Sequence, residues 1–92
     1  MYIITNTTNI GEYTPSKADT YEEAKAWVIE CTSRNIRTWK GNELPSENMT
    51  DKEVIEWAKE NVNDFEYVED SSYIEYEDGS FNRMTIYNTD EI

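Results

Sequence analysis

Two spacings of apolar residues alternate along this chain. Tyr2, Ile3 and Ile4 open it with a short β-branched run that gives way to Asn9 and Gly11, which predicts a first strand from Tyr2 to about Thr7. Glycine, proline and serine punctuate residues 11–19 and predict a loop. Ala24, Trp27, Val28 and Cys31 then fall at i, i+3, i+4 and i+7, one face of a helix. Thr20-Tyr21-Glu22-Glu23 is a capping box at its start, and Glu30 and Arg34 form a favourably ordered i,i+4 pair. Asn35, tolerant of the left-handed conformation, is expected to end it. Trp27 and Cys31 are accordingly expected in the core. Ile36 to Trp39 reads as a short strand or an extended linker, and residues 40–48, with Gly41 and Pro45, as a second loop.

Thr50-Asp51-Lys52-Glu53 repeats the capping box, with Met49 and Val54 placed as a hydrophobic staple. Val54, Ile55, Ala58 and Val62 form the buried stripe of this second helix. Glu53, Glu56 and Glu60 lie opposite, and Trp57 lies on the flank. The period then drops to two. Phe65 to Glu69 is a strand candidate, and Tyr73 to Glu77 and Phe81 to Tyr87 flank Asp78-Gly79, a hairpin signal. A two-residue loop would set Ile74 and Tyr76 on the opposite face from Met84 and Ile86. A three-residue Asp78-Gly79-Ser80 loop groups all four, and pairs Glu75 with Arg83. The second register is preferred because it makes one apolar face. The other face then carries Tyr73, Glu75, Glu77, Phe81, Arg83 and Tyr87. The expected architecture is a single α+β domain over residues 1–92, with two helices on one face of a three- to four-stranded antiparallel sheet, in the order β-α-(β)-α-β-β-β.

Charge sharpens this picture. The net charge is −12 over 92 residues, with 20 acidic and 8 basic side chains. Residues 47–92 hold 14 of the acids and 3 of the bases, and Glu60 to Asn82 holds eight carboxylates and no cation. Such a field repels nucleic acids and anionic membranes and attracts basic protein surfaces. Salt adaptation would acidify the whole surface, whereas residues 1–46 are nearly neutral. Seven tyrosines, three tryptophans and two phenylalanines, periodically placed, argue for a folded chain rather than an acidic disordered one. The start lacks a basic region and a long apolar run, no segment is long enough to span a bilayer, and the lone Cys31 excludes an intrachain disulfide. A cytoplasmic location is expected, and the sequons at Asn6 and Asn48 are read as chance.

The absence of histidine removes the commonest general base and most zinc chemistry. Paired carboxylates can hydrolyse glycosides, but these lie in polar strands and turns rather than in a desolvated cleft. Glu69-Asp70-Ser71-Ser72 and Glu75-Tyr76-Glu77-Asp78-Gly79 are rich in oxygen ligands for calcium, yet neither matches an EF-hand loop. The expectation is a protein with no catalytic residues, no metal and no cofactor. Its binding surface is expected at Glu66, Glu69, Asp70, Glu75, Glu77 and Asp78, with carboxylates spaced like phosphates. Tyr73 and Phe81 are expected as anchors, and Tyr87 and Trp57 as further ones.

A short acidic chain without histidine and with a compact α+β pattern resembles phage-encoded inhibitors of bacterial defence: anti-CRISPR proteins, anti-restriction DNA mimics and uracil-DNA glycosylase inhibitors. The resemblance is one of overall character. It implies a non-enzymatic inhibitor that blocks the basic nucleic-acid-binding site of a CRISPR effector or other nuclease. The alternative is a small accessory domain, monomer or homodimer, whose charge serves solubility.

Overall fold

The computed structural model describes residues 1–68 and 70–91. Six strands and two helices follow in the order β1 (Tyr2–Thr8), β2 (Gly11–Glu12), β3 (Ser16–Ala18), α1 (Tyr21–Lys40), α2 (Asp51–Asn61), β4 (Phe65–Val68), β5 (Ser71–Glu75) and β6 (Phe81–Asn88). Short 3-10 turns occupy Gly41–Glu43 and Thr89–Glu91. The sheet is antiparallel throughout. Its order is β2-β1-β6-β5-β4, with β3 paired to β1 on the same edge as β2. The α+β class and the two helices agree with the sequence reading. The strand count does not: the expected loop at 11–19 contributes β2 and β3, which zip onto β1 at Thr7–Thr8 and at Tyr2–Ile4.

The largest departure lies in α1. It neither ends at Asn35 nor yields to a strand at Ile36–Trp39; it runs for 20 residues to Lys40. Its buried stripe is Ala24, Val28, Thr32, Ser33 and Ile36. Two polar residues interrupt an apolar run at spacing four, so hydrophobicity alone loses the helix there. Thr32 is tolerated because its hydroxyl donates to Ser72 Oγ on β5 at 3.0 Å, which satisfies both buried groups. Ser33 donates to Asp51 Oδ1 at 2.7 Å and accepts from Arg37 Nε at 3.2 Å. Arg37 also donates to the Met49 carbonyl, fastening α1 to the start of α2. Trp27 lies off this stripe and is 42% exposed rather than core, and Cys31 is only half-buried. Partial burial pushes the Cys31 thiol pKa up.

The helix starts follow the sequence more closely. Thr20 accepts from the Glu23 amide, though the Glu23 carboxylate takes the Asp19 amide instead of that of Thr20. At α2 the box is complete, Thr50 and Glu53 each holding the other's amide at 3.0–3.2 Å. Val54, Ile55, Ala58 and Val62 are buried as expected. They pack with Ile36, Phe65 and Ile74, while Ile4, Ala18, Ala24, Val28, Met84 and Ile86 form the other half of the core.

The β5–β6 hairpin keeps the expected faces but shifts the pairing by two residues. Its loop is Glu77-Asp78-Gly79. Gly79, at φ +89°, takes the left-handed position and donates to the Tyr76 carbonyl at 3.0 Å. Tyr76 then pairs with Ser80 through a 2.8 Å bond. Arg83 therefore faces Tyr73, and Glu75 faces Phe81. A shift of two preserves the period-two alternation, so Ile74, Met84 and Ile86 are buried on one face, with Tyr76 packed at its margin.

Ile36→Ala should lower unfolding free energy by roughly 2–5 kcal/mol in urea titration, whereas Trp27→Ala should cost under about 1. The reverse ranking would place α1 differently. The Glu53 carboxyl is held below its ordinary pKa by the Thr50 amide and hydroxyl. A depressed folded-state pKa contributes stability above the ordinary carboxylate range and loses it as pH falls through the folded value. Glu53→Gln should thus be less stable than the wild type at neutral pH, the two converging below about pH 4.

Candidate functional site

Two helices cover one side of the sheet. The other side is open, and the strand registers place its residues in rows. One row is Lys17, Ile3 and Tyr87. The next is Thr5, Thr85, Ser71 and Val68. A third is Glu12, Thr7, Arg83, Tyr73 and Glu66. Phe81 and Glu75 form the last. β-Branched and aromatic side chains dominate the middle, which suits a pleated surface. Val68 is 62% and Tyr87 47% exposed.

The centre is an ordered stack. Tyr73 and Phe81 lie nearly parallel with centroids 5.9 Å apart, and the Arg83 guanidinium sits 5.0 Å from the Tyr73 centroid. The Tyr73 hydroxyl donates to Glu75 Oε2 at 3.3 Å. Desolvation and the adjacent Glu75 charge raise the Tyr73 pKa, so the phenol stays neutral and keeps its donor role. These contacts hold the aromatic rings upright in fixed positions, lowering the entropy lost when a partner immobilises them.

Of the eight residues expected at the binding surface, Glu66, Tyr73, Glu75 and Phe81 share this open face. Three others do not. Asp70, in the turn between β4 and β5, accepts a hydrogen bond from the Tyr21 hydroxyl of α1, and its carbonyl accepts from the Ile86 amide. Glu77 is bound to Lys40 at 3.1 Å, and Lys40 also holds Glu43 at 3.3 Å and lies over the Trp39 ring. Asp78 accepts from the Ser80 amide and hydroxyl at 2.9 and 2.6 Å, which lower its pKa. Asp70, Glu77 and Asp78 thus act in turns and in ties to α1. Glu69 lies outside the described residues. Trp57 belongs to α2 and packs on the core, so it is no anchor on this face. Sequence reasoning missed Glu12, Thr5, Thr85, Ser71 and Val68 as part of the surface. The pairing of β2 with β1 reveals Glu12 and that of β4 with β5 reveals Val68, while Thr5 and Ser71 follow from the pairing of β1 and β5 with β6, and Thr85 from alternation with Arg83 and Tyr87. Among the described residues no group of three or more His, Cys, Asp or Glu side chains could hold a metal ion. No helix is long and apolar enough to cross a membrane.

Arg34, Arg37, Lys40 and Lys59 are each paired with carboxylates in the helical layer or at its ends. Carboxylates mark both margins of the open face, Glu12 on β2 and Glu66 and Glu75 on β4 and β5. No family model, no curated protein and no solved structure matches the chain.

With a net charge of −12, self-repulsion should outweigh the exposed ion pairs. Raising sodium chloride from about 0.02 to about 0.5 M should increase the melting temperature. A decrease would mean that the ion pairs dominate.

Proposed function

We propose that this chain is a non-enzymatic inhibitor that acts by binding a protein. In this reading its helix-free sheet face occupies the basic nucleic-acid-binding site of a larger protein, such as a CRISPR effector or another nuclease. The setting is the cytoplasm of a bacterial cell, with the inhibitor phage-encoded. The observation that carries the reading is the fixed Arg83–Tyr73–Phe81 stack, flanked by Tyr87 and margined by Glu12, Glu66 and Glu75. Protein interfaces concentrate binding energy in central aromatics and arginines and leave charges at the rim. The overall negative field adds fast, salt-sensitive encounter with a basic groove and repels free nucleic acid. Inhibition is then steric and electrostatic: rim carboxylates meet lysines and arginines that otherwise hold phosphates, and the rings fill the space between them.

The contact set under this reading is Glu12, Glu66, Tyr73, Glu75, Phe81 and Tyr87. A second reading, an accessory domain that dimerises through the same face, is favoured by the row Glu12, Arg83, Glu66. A two-fold axis falling between Arg83 and Glu66 would oppose each arginine to a glutamate of the second copy. Light scattering distinguishes the two readings: a monomer leaves the face free, and a tight dimer burying the tyrosines favours the second.

Tagged protein in nuclease-treated bacterial lysate should capture a nucleic-acid-binding protein at about 0.1 M salt and release it at about 0.5 M. The double variant Glu66→Lys, Glu75→Lys should weaken capture by about tenfold or more, roughly 1.4 kcal/mol, while its melting temperature stays near that of the wild type. Equal capture by the variant would contradict the reading.

A further inference from the structure

The open face is grooved. Two depressions, of about 360 and 520 Å³, adjoin across Tyr73, Arg83 and Thr85, and together they form a trough across the strands. Its floor is the row Thr5, Thr85 and Ser71, which ends in Val68 beside Glu66. Tyr87 stands on one side. On the other stands the row Glu12, Thr7, Arg83, Tyr73 and Glu66, with Glu12 lining one end of the trough and Glu66 the other. Along that ridge the charges read negative, positive, negative. Successive charges are two strands apart, about 9.6 Å at ~4.8 Å per strand.

This repeat discriminates among backbones. In an extended strand, residues three apart point to opposite sides, so one edge cannot meet all three charges. The two ridges are four residues apart along β6, about 13 Å between backbones, and their own side chains narrow the gap below the ~10–12 Å width of an α-helix. A polyproline II helix has three residues per turn and rises 3.1 Å per residue, so positions i, i+3 and i+6 share one edge about 9.3 Å apart. Grooves walled by aromatic rings are the usual seat of such segments, whose backbone is ordered before binding.

We propose that the trough seats a proline-rich, polyproline II segment of a protein partner that carries basic residues at i and i+6 and an acidic residue at i+3. The basic residues meet Glu12 and Glu66. The acidic residue meets the outer N–H edge of Arg83, which stacking on Tyr73 leaves available. The prolines lie over Thr5, Thr85 and Ser71 against the Tyr87 and Tyr73 rings. The inference rests on the reading that this face is the docking surface and adds the spacing and backbone form of what docks.

The test is an amide NMR titration with two capped peptides of one composition, Arg-Pro-Pro-Glu-Pro-Pro-Arg and its isomer Arg-Arg-Pro-Pro-Pro-Pro-Glu. The first should shift Thr5, Ser71, Tyr73, Arg83 and Thr85 and bind at least about fivefold more tightly, because two exposed charge pairs are at stake. Glu12→Gln with Glu66→Gln should erase that preference. Thr85→Trp should fill the trough and abolish binding; if it fails to fold, the wild-type comparison alone decides. Equal binding of both isomers at this face would overturn the spacing inference and leave the docking face standing. Shifts confined to other surfaces, or none with either peptide, would overturn the inference. The lysate capture by Glu66→Lys, Glu75→Lys then judges the face separately.

Discussion

Among the described residues, only one side of this sheet is covered. α1 and α2 are the sole long elements apart from the strands among the described residues, and both pack on the face that carries Ile4, Met84, Ile86 and Ile74. Period-two alternation along β1, β5 and β6 then sends every second residue to water. What those residues are is therefore free of the core's demands: threonines, Ser71 and charged side chains stand there with a minority of apolar ones. Tyr73, Phe81 and Tyr87 stand there with Ile3 and Val68, and Arg83 is stacked among them. Tyr73 and Phe81 are half-buried in this cluster, and Tyr87 and Val68 are exposed beside them.

The acidity has two parts. Many carboxylates are structural: Glu53 caps α2, Asp78 organises a turn, Asp51 receives Ser33, and Glu77 and Glu43 share Lys40. Lys40 is accordingly held above its ordinary pKa by Glu77 and then Glu43. Three more, Glu12, Glu66 and Glu75, edge the open face, and others lie along α1 and α2. Density of charge along the chain does not separate these parts, because a hairpin loop and a strand edge can be adjacent in sequence and face different ways.

The sequence was readable where one rule acted alone. The Thr50–Glu53 capping box and the Val54, Ile55, Ala58 and Val62 stripe needed only local chemistry. The two faces of the β5–β6 hairpin followed from alternation, although the register moved by two. It failed where distant partners decide. Thr32 and Ser33 look like the end of an apolar stripe until Ser72 and Asp51 are seen opposite them. β2 and β3 look like loop until β1 supplies their hydrogen-bond partners. That Glu66, Tyr73, Glu75 and Phe81 share a face was legible because they lie at alternate positions of strands. The trough was not, because its floor comes from three strands far apart in sequence.

Hydroxyl-radical footprinting of the protein bound to its captured partner would show which face docks, since it reads aromatic side chains one by one. Tyr73, Phe81 and Tyr87 should lose reactivity on binding while Trp27 and Tyr13, exposed elsewhere, keep theirs. Protection of Trp27 or Tyr13 with the sheet-face rings unchanged would contradict docking through the sheet face.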